Sequence, residues 1–536
     1  MRVPWPDRLT AEVVAEFYRR GDWLQSTANE RLDELAEKRG DAVALVDATR
    51  RLSYREYRDQ AENLAAAFVD LGLTRDDVIA VQLPNGIDFP LAINGAMRAG
   101  IPFCQFHHGF RSKEVAFVLG FSRARAAIVP REYQGFDYVA MIEELRPQLP
   151  ELRHIIVADD RGLRALAQRP ASPQLRAELV RRRPKPDDLC RMAFTSGTTG
   201  DPKAVVHTHN TSNCTARSSA RDQRMDEDSA MLLFLPVGLN WGLGCTKQSL
   251  FAGCKIVYME KFDATRVLET IERERITHVV TAPASLVALI DAANAGSYDL
   301  ASLRCIVSGG ASCPIDVMHR ARAKFGTGVV EMYGMLESGV QSRTSPGDDP
   351  ELVVGTVGRP VREATVRVCD GEDRPVAPGV VGEIECFGPS VMLGYFENPD
   401  ANARAFARDG FFRTGDLGVF DAEGLLRIAG RSKEMIIRGG ANIYPREIEE
   451  VLFTHPSVAD CAVIGVPHPR LGETAVACVV VRPGAELSLD AMLEFLAPRI
   501  ARYKLPERLV LVPELPRTPT GKVQKGTLAT SIEAAV

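Results

Sequence analysis

The chain lacks any stretch of the roughly 18 to 20 apolar residues that a membrane-spanning helix needs. Its first ten residues carry Arg2, Asp7 and Arg8 with two prolines, and they hold no apolar segment of the kind a secretory signal requires. The eleven cysteines are scattered, with no C-x-x-C pair and no grouping with histidine, which argues against a zinc site or a disulfide framework. Reduced thiols in a cytoplasmic protein are therefore expected. Basic residues form no block interleaved with aromatics, so nucleic acid is not an expected partner. The short run Arg181-Arg182-Arg183 stands before Pro184 and Pro186 and reads as a solvated loop. No repeat of fixed period occurs. The Gly-Lys-Ser/Thr end of a Walker loop is missing too, which disfavours a kinase-type phosphate loop.

What is present is an ordinary globular balance: 45% apolar residues, 25% charged and a net charge of -5 over 536 residues. That length exceeds what one core serves, so two or more domains are expected. Ser53 before Tyr54-Arg55-Glu56 is a helix-start signal. Asp77 to Leu83, Ile101 to Gln105, Ala126 to Val129, Ile155 to Val157, Lys255 to Tyr258, His278 to Thr281 and Arg304 to Ser308 read as short strands. They alternate with helical segments such as Phe89 to Arg98, which implies parallel pairing and an α/β class. After Val353 the texture becomes short strands with Gly and Pro turns: Thr365 to Val368, Gly382 to Cys386, Leu425 to Ile428. A small antiparallel or barrel-like subdomain is expected there. From Arg431 the elements mix again, as in a small α+β domain. The expected division is 1–430 and 431–536.

The densest chemical signal is Thr195-Ser196-Gly197-Thr198-Thr199-Gly200-Asp201-Pro202-Lys203. Its glycines let the backbone approach a ligand. Its N–H groups, hydroxyls and Lys203 suit phosphate oxygens. Later come Ser308-Gly309-Gly310-Ala311, Glu331-Met332-Tyr333-Gly334-Met335-Leu336-Glu337, Phe412-Arg413-Thr414-Gly415-Asp416-Leu417, Gly430-Arg431-Ser432-Lys433, Arg438-Gly439-Gly440-Ala441 and Thr520-Gly521-Lys522-Val523. In content, order and spacing these segments resemble the motifs of the adenylate-forming (ANL) superfamily, the AMP-binding acyl-CoA synthetases and their relatives. The N-terminal style, with Gly21-Asp22-Trp23 and Gly135-Phe136-Asp137-Tyr138, is similar to cyclohexanecarboxylate- and aryl-acid-type ligases.

The resemblance implies a large N-terminal domain of parallel-rich sheets with helices, and a small mobile C-terminal domain. It implies an ATP-dependent, AMP-forming acid-thiol ligase using ATP, Mg²⁺ and coenzyme A. Thr195 to Gly200 and Lys203 would hold phosphates. Gly310, Ala311 and Glu331 to Leu336 would line the nucleotide site, where Tyr333 can stack on adenine. Asp416 suits the two ribose hydroxyls, with Arg431 nearby. Glu337 has hard oxygens for Mg²⁺. Lys522 would neutralise charge as the acid attacks the α-phosphorus. Lys433 would be the hinge, and Arg438, Gly439 and Gly440 a pantetheine tunnel. Leu239, Asn240, Trp241 and Gly310 would border the acid.

Two departures bear on function. Leu336 stands where the family usually has Thr. Losing a hydrogen bond to a charged phosphate costs about 1.5–3 kcal/mol, or roughly ten- to a hundredfold in rate. An enzyme that makes the thioester from a supplied acyl-adenylate, working beside a partner adenylating ligase, is therefore a second reading. Leu239 takes the place of a common His, with Gly238 before it, which favours a roomy apolar site for a bulky alicyclic, terpenoid or aromatic acid, as in a natural-product pathway. Ala204 and Ala441 also depart from the pattern, without an assigned consequence. Loading of a separate carrier protein is a third reading. Luciferase-like oxidation and a non-enzymatic acyl-nucleotide binder are the rivals from other classes. An exposed N-terminal helix would suit a homodimer.

Overall fold

The computed structural model describes residues 5–195, 202–310, 313–439, 441–517 and 523–533. The chain divides into two compact units, the first spanning Met1–Thr195, Lys203–Thr365 and Phe387–Arg404, the second Ser196–Pro202, Val366–Cys386 and Ala405–Val536.

The first unit is built on two sheets. Six neighbouring strands of one sheet run parallel in the order Val329–Met335, Cys305–Ser308, His278–Thr281, Ala230–Leu233, Lys255–Tyr258 and Val43–Val46. Nearly continuous runs of Val, Ile and Leu form these strands because parallel strands are covered on both faces. The second sheet places Leu189–Phe194, Phe103–Gln105, Ile79–Val81, Ala126–Val129 and His154–Val157 parallel to one another. One side of it is finished by Ala204–Thr208 and Gly394–Tyr395, both antiparallel. This α/β reading agrees with the sequence, often to the residue, as at Ala126–Val129, Lys255–Tyr258 and His278–Thr281.

Local signals explain the helices between the strands. Ser53 caps the helix Tyr54–Asp70: its side chain accepts from the Glu56 N–H, while Glu56 reaches back to the Ser53 N–H. Of the three arginines at 181–183 only Arg181 departs from the expected loop; Arg182 and Arg183 lie beyond the helix end. Arg181 closes the helix Pro173–Arg181, and Arg181 and Arg182 both pair with Glu178 one turn back. Cations there also suit the helix's C-terminal carbonyls.

The second unit contains all but Thr365 and Phe387 of the sheet ordered Thr365–Cys369, Gly382–Phe387, Phe412–Phe420, Leu426–Arg431. The sequence-derived division puts these strands in 1–430, yet by compactness their central residues group with the C-terminal part. Beyond them Ala441–Ile443, Ile436–Arg438, Gly472–Val481 and Val458–His468 form a further sheet, with Arg508–Leu511 beside Gly472–Val481. Its core includes Ile436, Ile448, Val463, Ala477 and Met492. Lys525, on the final helix, pairs with Glu449 at 2.7 Å and Glu434 at 3.2 Å. All eleven cysteines are buried thiols. No described helix is long and apolar enough to cross a membrane.

Candidate active site

In the first unit, a hairpin of the second sheet sets the site. Leu189–Phe194 and Ala204–Thr208 pair with Phe194 opposite Ala204 and Arg191 opposite His207. At its open end the Thr195 N–H donates to the Lys203 carbonyl at 3.0 Å, and the Lys203 N–H donates to Thr195 Oγ1 at 3.1 Å. The loop between them, including Ser196, Gly197, Thr198, Thr199 and Gly200, lies outside the described residues, as do Ala311, Gly440 and Lys522.

The structure brings Lys203 and Glu337 to one residue that the sequence reading missed. Lys203 Nζ lies 4.7 Å from the centroid of the Tyr395 ring, a cation–π distance. The Tyr395 hydroxyl donates to Glu337 Oε1 at 3.1 Å. Burial pushes the Tyr395 phenol well above its ordinary range, and Glu337 adds to the shift, so the hydroxyl stays a donor. Tyr395 is held there because Gly394–Tyr395 pairs with Val205 and Val206. The only sequence signal was an aromatic after a glycine, 58 residues beyond Glu337.

Glu337 and Leu336 sit on the turn between Val329–Met335 and Gly339–Arg343. Leu336 is half-buried. Its carbonyl lies 2.8 Å from His207 Nε2, while His207 Nδ1 lies 3.1 Å from Thr211 Oγ1. A carbonyl only accepts, so Nε2 carries the proton and Nδ1 accepts from Thr211. Burial holds the ring neutral, far below the usual histidine range. Among the other nucleotide candidates, Glu331 is buried and accepts from the Cys313 N–H at 3.3 Å, Met332 packs against the main core, and Tyr333 is largely buried. Gly310, Gly334 and Met335 retain exposure.

Leu239 is the N-cap of the helix Asn240–Ala252, and Leu239, Asn240 and Trp241 are each half-buried. The Trp241 indole closes on Gly309: a Cβ added there would meet its Cη2 at 2.6 Å. The acid candidates and the glycine turn are thus in direct contact. Gly238 has a different role from the one its size implied. A Cβ at 238 would overlap the Phe106 carbonyl oxygen, so the glycine admits a crossing backbone rather than enlarging a cavity.

In the second unit, Asp416 and Arg431 are cross-strand partners, with Arg431 Nε 3.3 Å from Asp416 Oδ1. Asp416 is buried, and its N–H donates to Thr414 Oγ1 at 3.1 Å. Lys433 is exposed on a short turn, Ser432–Glu434. Arg438 donates to the Tyr503 carbonyl at 2.8 Å and pairs with Glu507. The Gly439 N–H donates to the Leu471 carbonyl at 2.7 Å.

Family models describe the chain as an AMP-binding enzyme over residues 32–396 and as an AMP-binding enzyme C-terminal domain over 447–522. A salicylyl-CoA synthase / salicylate adenylyltransferase of Streptomyces sp is 35% identical, covering 98% of this chain and 96% of its own. The 3-[(3aS,4S,7aS)-7a-methyl-1,5-dioxo-octahydro-1H-inden-4-yl]propanoyl:CoA ligase of Mycobacterium tuberculosis is 33% identical over 93% of this chain and 97% of its own. The crystal structure of ATP-bound MatB from Rhodopseudomonas palustris superposes with a TM-score of 0.86 at 27% identity, covering 95% of this chain and 100% of that one.

Beside the hairpin lies a buried cluster of cations. Lys247 Nζ donates to Ser212 Oγ at 2.7 Å and Asn213 Oδ1 at 3.0 Å, and lies 3.9 Å from Cys190 Sγ. Burial pushes the Lys247 amine down to about 8. Burial alone would raise the Cys190 thiol, but His209 and Lys247 outweigh it and bring it down to about 6. A lowered Cys190 value means that the unfolded chain binds this proton more tightly than the folded one. Its contribution to stability is complete above the unfolded value and is lost as pH falls through the folded one. The unfolding midpoint is therefore expected to rise between about pH 6 and 9, with a slope of at most about 1.4 kcal/mol per pH unit from this group. Cys190→Ser should flatten that rise; an equal slope in wild type and variant, followed by scanning fluorimetry, would refute the assignment.

Proposed function

The chain belongs to the AMP-binding enzyme family, matched over residues 32–396 and 447–522, and on that premise we propose that it is an acyl-CoA synthetase converting a bulky hydrophobic carboxylic acid to its CoA thioester. The acid's carboxylate attacks the α-phosphorus of ATP, and pyrophosphate leaves. The CoA thiol then attacks the acyl carbon of the acyl-adenylate, and AMP leaves. The observation that carries this reading is the Lys203–Tyr395–Glu337 assembly, where one phenol touches both a cation for phosphate and a carboxylate. Charge stabilisation by groups fixed in advance is what the first step needs.

Within this reading Lys203 pairs with phosphate oxygens, and the Tyr395 hydroxyl fixes the rotamer of Glu337. Glu337 would hold Mg²⁺: its hard oxygens fit the ion, which keeps ATP phosphates as its other ligands. When bound, the ion neutralises phosphate charge. Asp416, braced by Thr414 and Arg431, accepts from the ribose hydroxyls. Lys522 acts on the developing charge of the first step. Lys433 is the hinge, and Arg438, Gly439 and Gly440 border the pantetheine. The half-buried Leu239 and Trp241 give the acid site its apolar walls. The acids in the names of the two relatives, an aromatic one and a bicyclic one, support a bulky acyl group.

Leu336 favours a second reading, in which adenylation is weak and the thioester is made from a supplied acyl-adenylate. Pyrophosphate release with Mg·ATP and a panel of bulky acids, measured beside thioester formation from CoA and presynthesised acyl-adenylates, separates the two. Both steps running with one acid support the synthetase. Thioester from supplied adenylate alone supports the second reading, and Leu336→Thr should then raise pyrophosphate release about ten- to a hundredfold. Silence in both, with transfer to a carrier protein, would overturn the CoA assignment. Tyr395→Phe keeps the ring under Lys203 and removes the hydroxyl on Glu337. It should lower the pyrophosphate-release rate about tenfold with little change in unfolding midpoint; an unchanged rate would exclude the positioning role of Tyr395.

A further inference from the structure

Arg191 lies on Leu189–Phe194, in an otherwise apolar run, and is 4% exposed. A buried guanidinium ordinarily has a carboxylate partner. This one has none among the described residues: its Nη2 donates to Asn240 Oδ1 at 2.8 Å, while Nε and Nη1 have no hydrogen-bond partner. Lys247, buried in the same region, is met by Ser212 and Asn213, both neutral acceptors. At the start of the helix Asn240–Ala252 Arg191 is thus a buried cation without a carboxylate partner among the described residues, while Lys247, about two turns further along, has the Cys190 sulfur beside it. The N-terminus of that helix adds to the same sign.

Arg191 also decides which way the Asn240 amide faces. A guanidinium only donates, so Oδ1 of Asn240 must turn toward it, and the Nδ2 hydrogens must point away. Asn240 is half-buried and adjoins Trp241, whose ring covers Gly309. On the proposed reading, in which Leu239, Asn240 and Trp241 border the acid, its outward side offers N–H donors and no acceptor.

We propose that Arg191 is a positioning residue that locks Asn240 as a donor, so that the enzyme selects an acid whose bulky acyl group carries an acceptor-only oxygen, either an oxo group or a second carboxylate. This deepens the acyl-CoA synthetase reading and rests on it. An all-hydrocarbon acid leaves the Asn240 donors desolvated and unmet. An amino group in the same place sets donor against donor. The oxo and carboxylate cases share the acceptor; the buried positive charge favours the carboxylate further.

The test uses matched ring acids: cyclohexanecarboxylate, its 2-, 3- and 4-oxo derivatives, the corresponding dicarboxylates and the amino derivatives. For each, kcat/KM for thioester formation is measured, together with the dissociation constant from calorimetry without turnover. Wild type should favour the best acceptor-bearing acid over the parent by about tenfold or more. The oxo and dicarboxylate arms show which source of the oxygen is used. Arg191→Met should bring that ratio near unity and raise the amino acid derivative relative to the parent, as the amide becomes free to turn. A merely structural residue would lower all acids together. Asn240→Asp keeps a partner for Arg191 and removes the donors, so it should lose the same preference in a stably folded protein. Equal use of parent and acceptor-bearing acids by wild type, or a wild-type ratio retained in both variants, overturns the proposal. If no acid is turned over, the synthetase reading has failed, and the ratio of dissociation constants still decides the role of Arg191.

Discussion

The antiparallel pairing of Leu189–Phe194 with Ala204–Thr208 is the constraint on which the first unit's site depends. It joins a strand of the parallel core to one that runs back toward the edge, and its register fixes three things together. The Thr195–Lys203 hydrogen bonds join the two strand ends. The far side of Ala204–Thr208 accepts Gly394–Tyr395, which delivers the phenol to Lys203 and Glu337. The Arg191–His207 pairing puts a guanidinium and a neutral imidazole on one face, one reaching Asn240 and the other the Leu336 carbonyl. A one-residue slip would send each of these to the opposite face, because side chains alternate along a strand.

Electrostatics then follows from burial rather than from net charge. The chain as a whole is acidic at -5, yet the hairpin region collects Arg191, Lys247 and Lys203. Burying cations costs free energy unless they are met. The structure meets Lys247 with neutral oxygens and a thiol drawn toward its thiolate, and Lys203 with an aromatic face.

The fold was legible because its strands are short apolar runs and its helices carry ordinary start signals. Ser53 with Glu56 and the strand His278–Thr281 needed no tertiary knowledge. The contiguous motifs were legible for the same reason: Asp416 and Arg431 sit in recognisable segments, and their cross-strand pairing follows from a hairpin. Tyr395 and Arg191 were not. Tyr395 matters through Glu337, far away in sequence, and a lone Gly-Tyr pair carries no periodic signal. Arg191 interrupts an apolar strand, which a sequence reading treats as noise in a buried element. Gly238 shows the converse error: its small size read as room for substrate, whereas a neighbouring backbone occupies that room. Arg181 likewise read as loop because composition outweighed the helix signal from Ser172 and Pro173, whereas Arg182 and Arg183 do lie past the helix end.

Leu336 is the point at which backbone and side chain can be separated. Its carbonyl is held by neutral His207, which Thr211 in turn orients. That contact is blind to the side chain at 336. The turn carrying Glu337 keeps its path whether the residue is Leu or Thr, and the Met392 N–H bound to the Glu337 carbonyl at 2.7 Å fixes the next peptide as well. Leu at 336 in place of a hydroxyl residue therefore acts through its side chain alone, as a lost donor and an added apolar volume. On the proposed reading, a lost donor would weaken charge stabilisation in the first half-reaction, where phosphate charge develops. Added volume acts on whatever sits beside it in either half-reaction. The two effects therefore have different kinetic signatures, and the rigidity of the turn is what makes them separable.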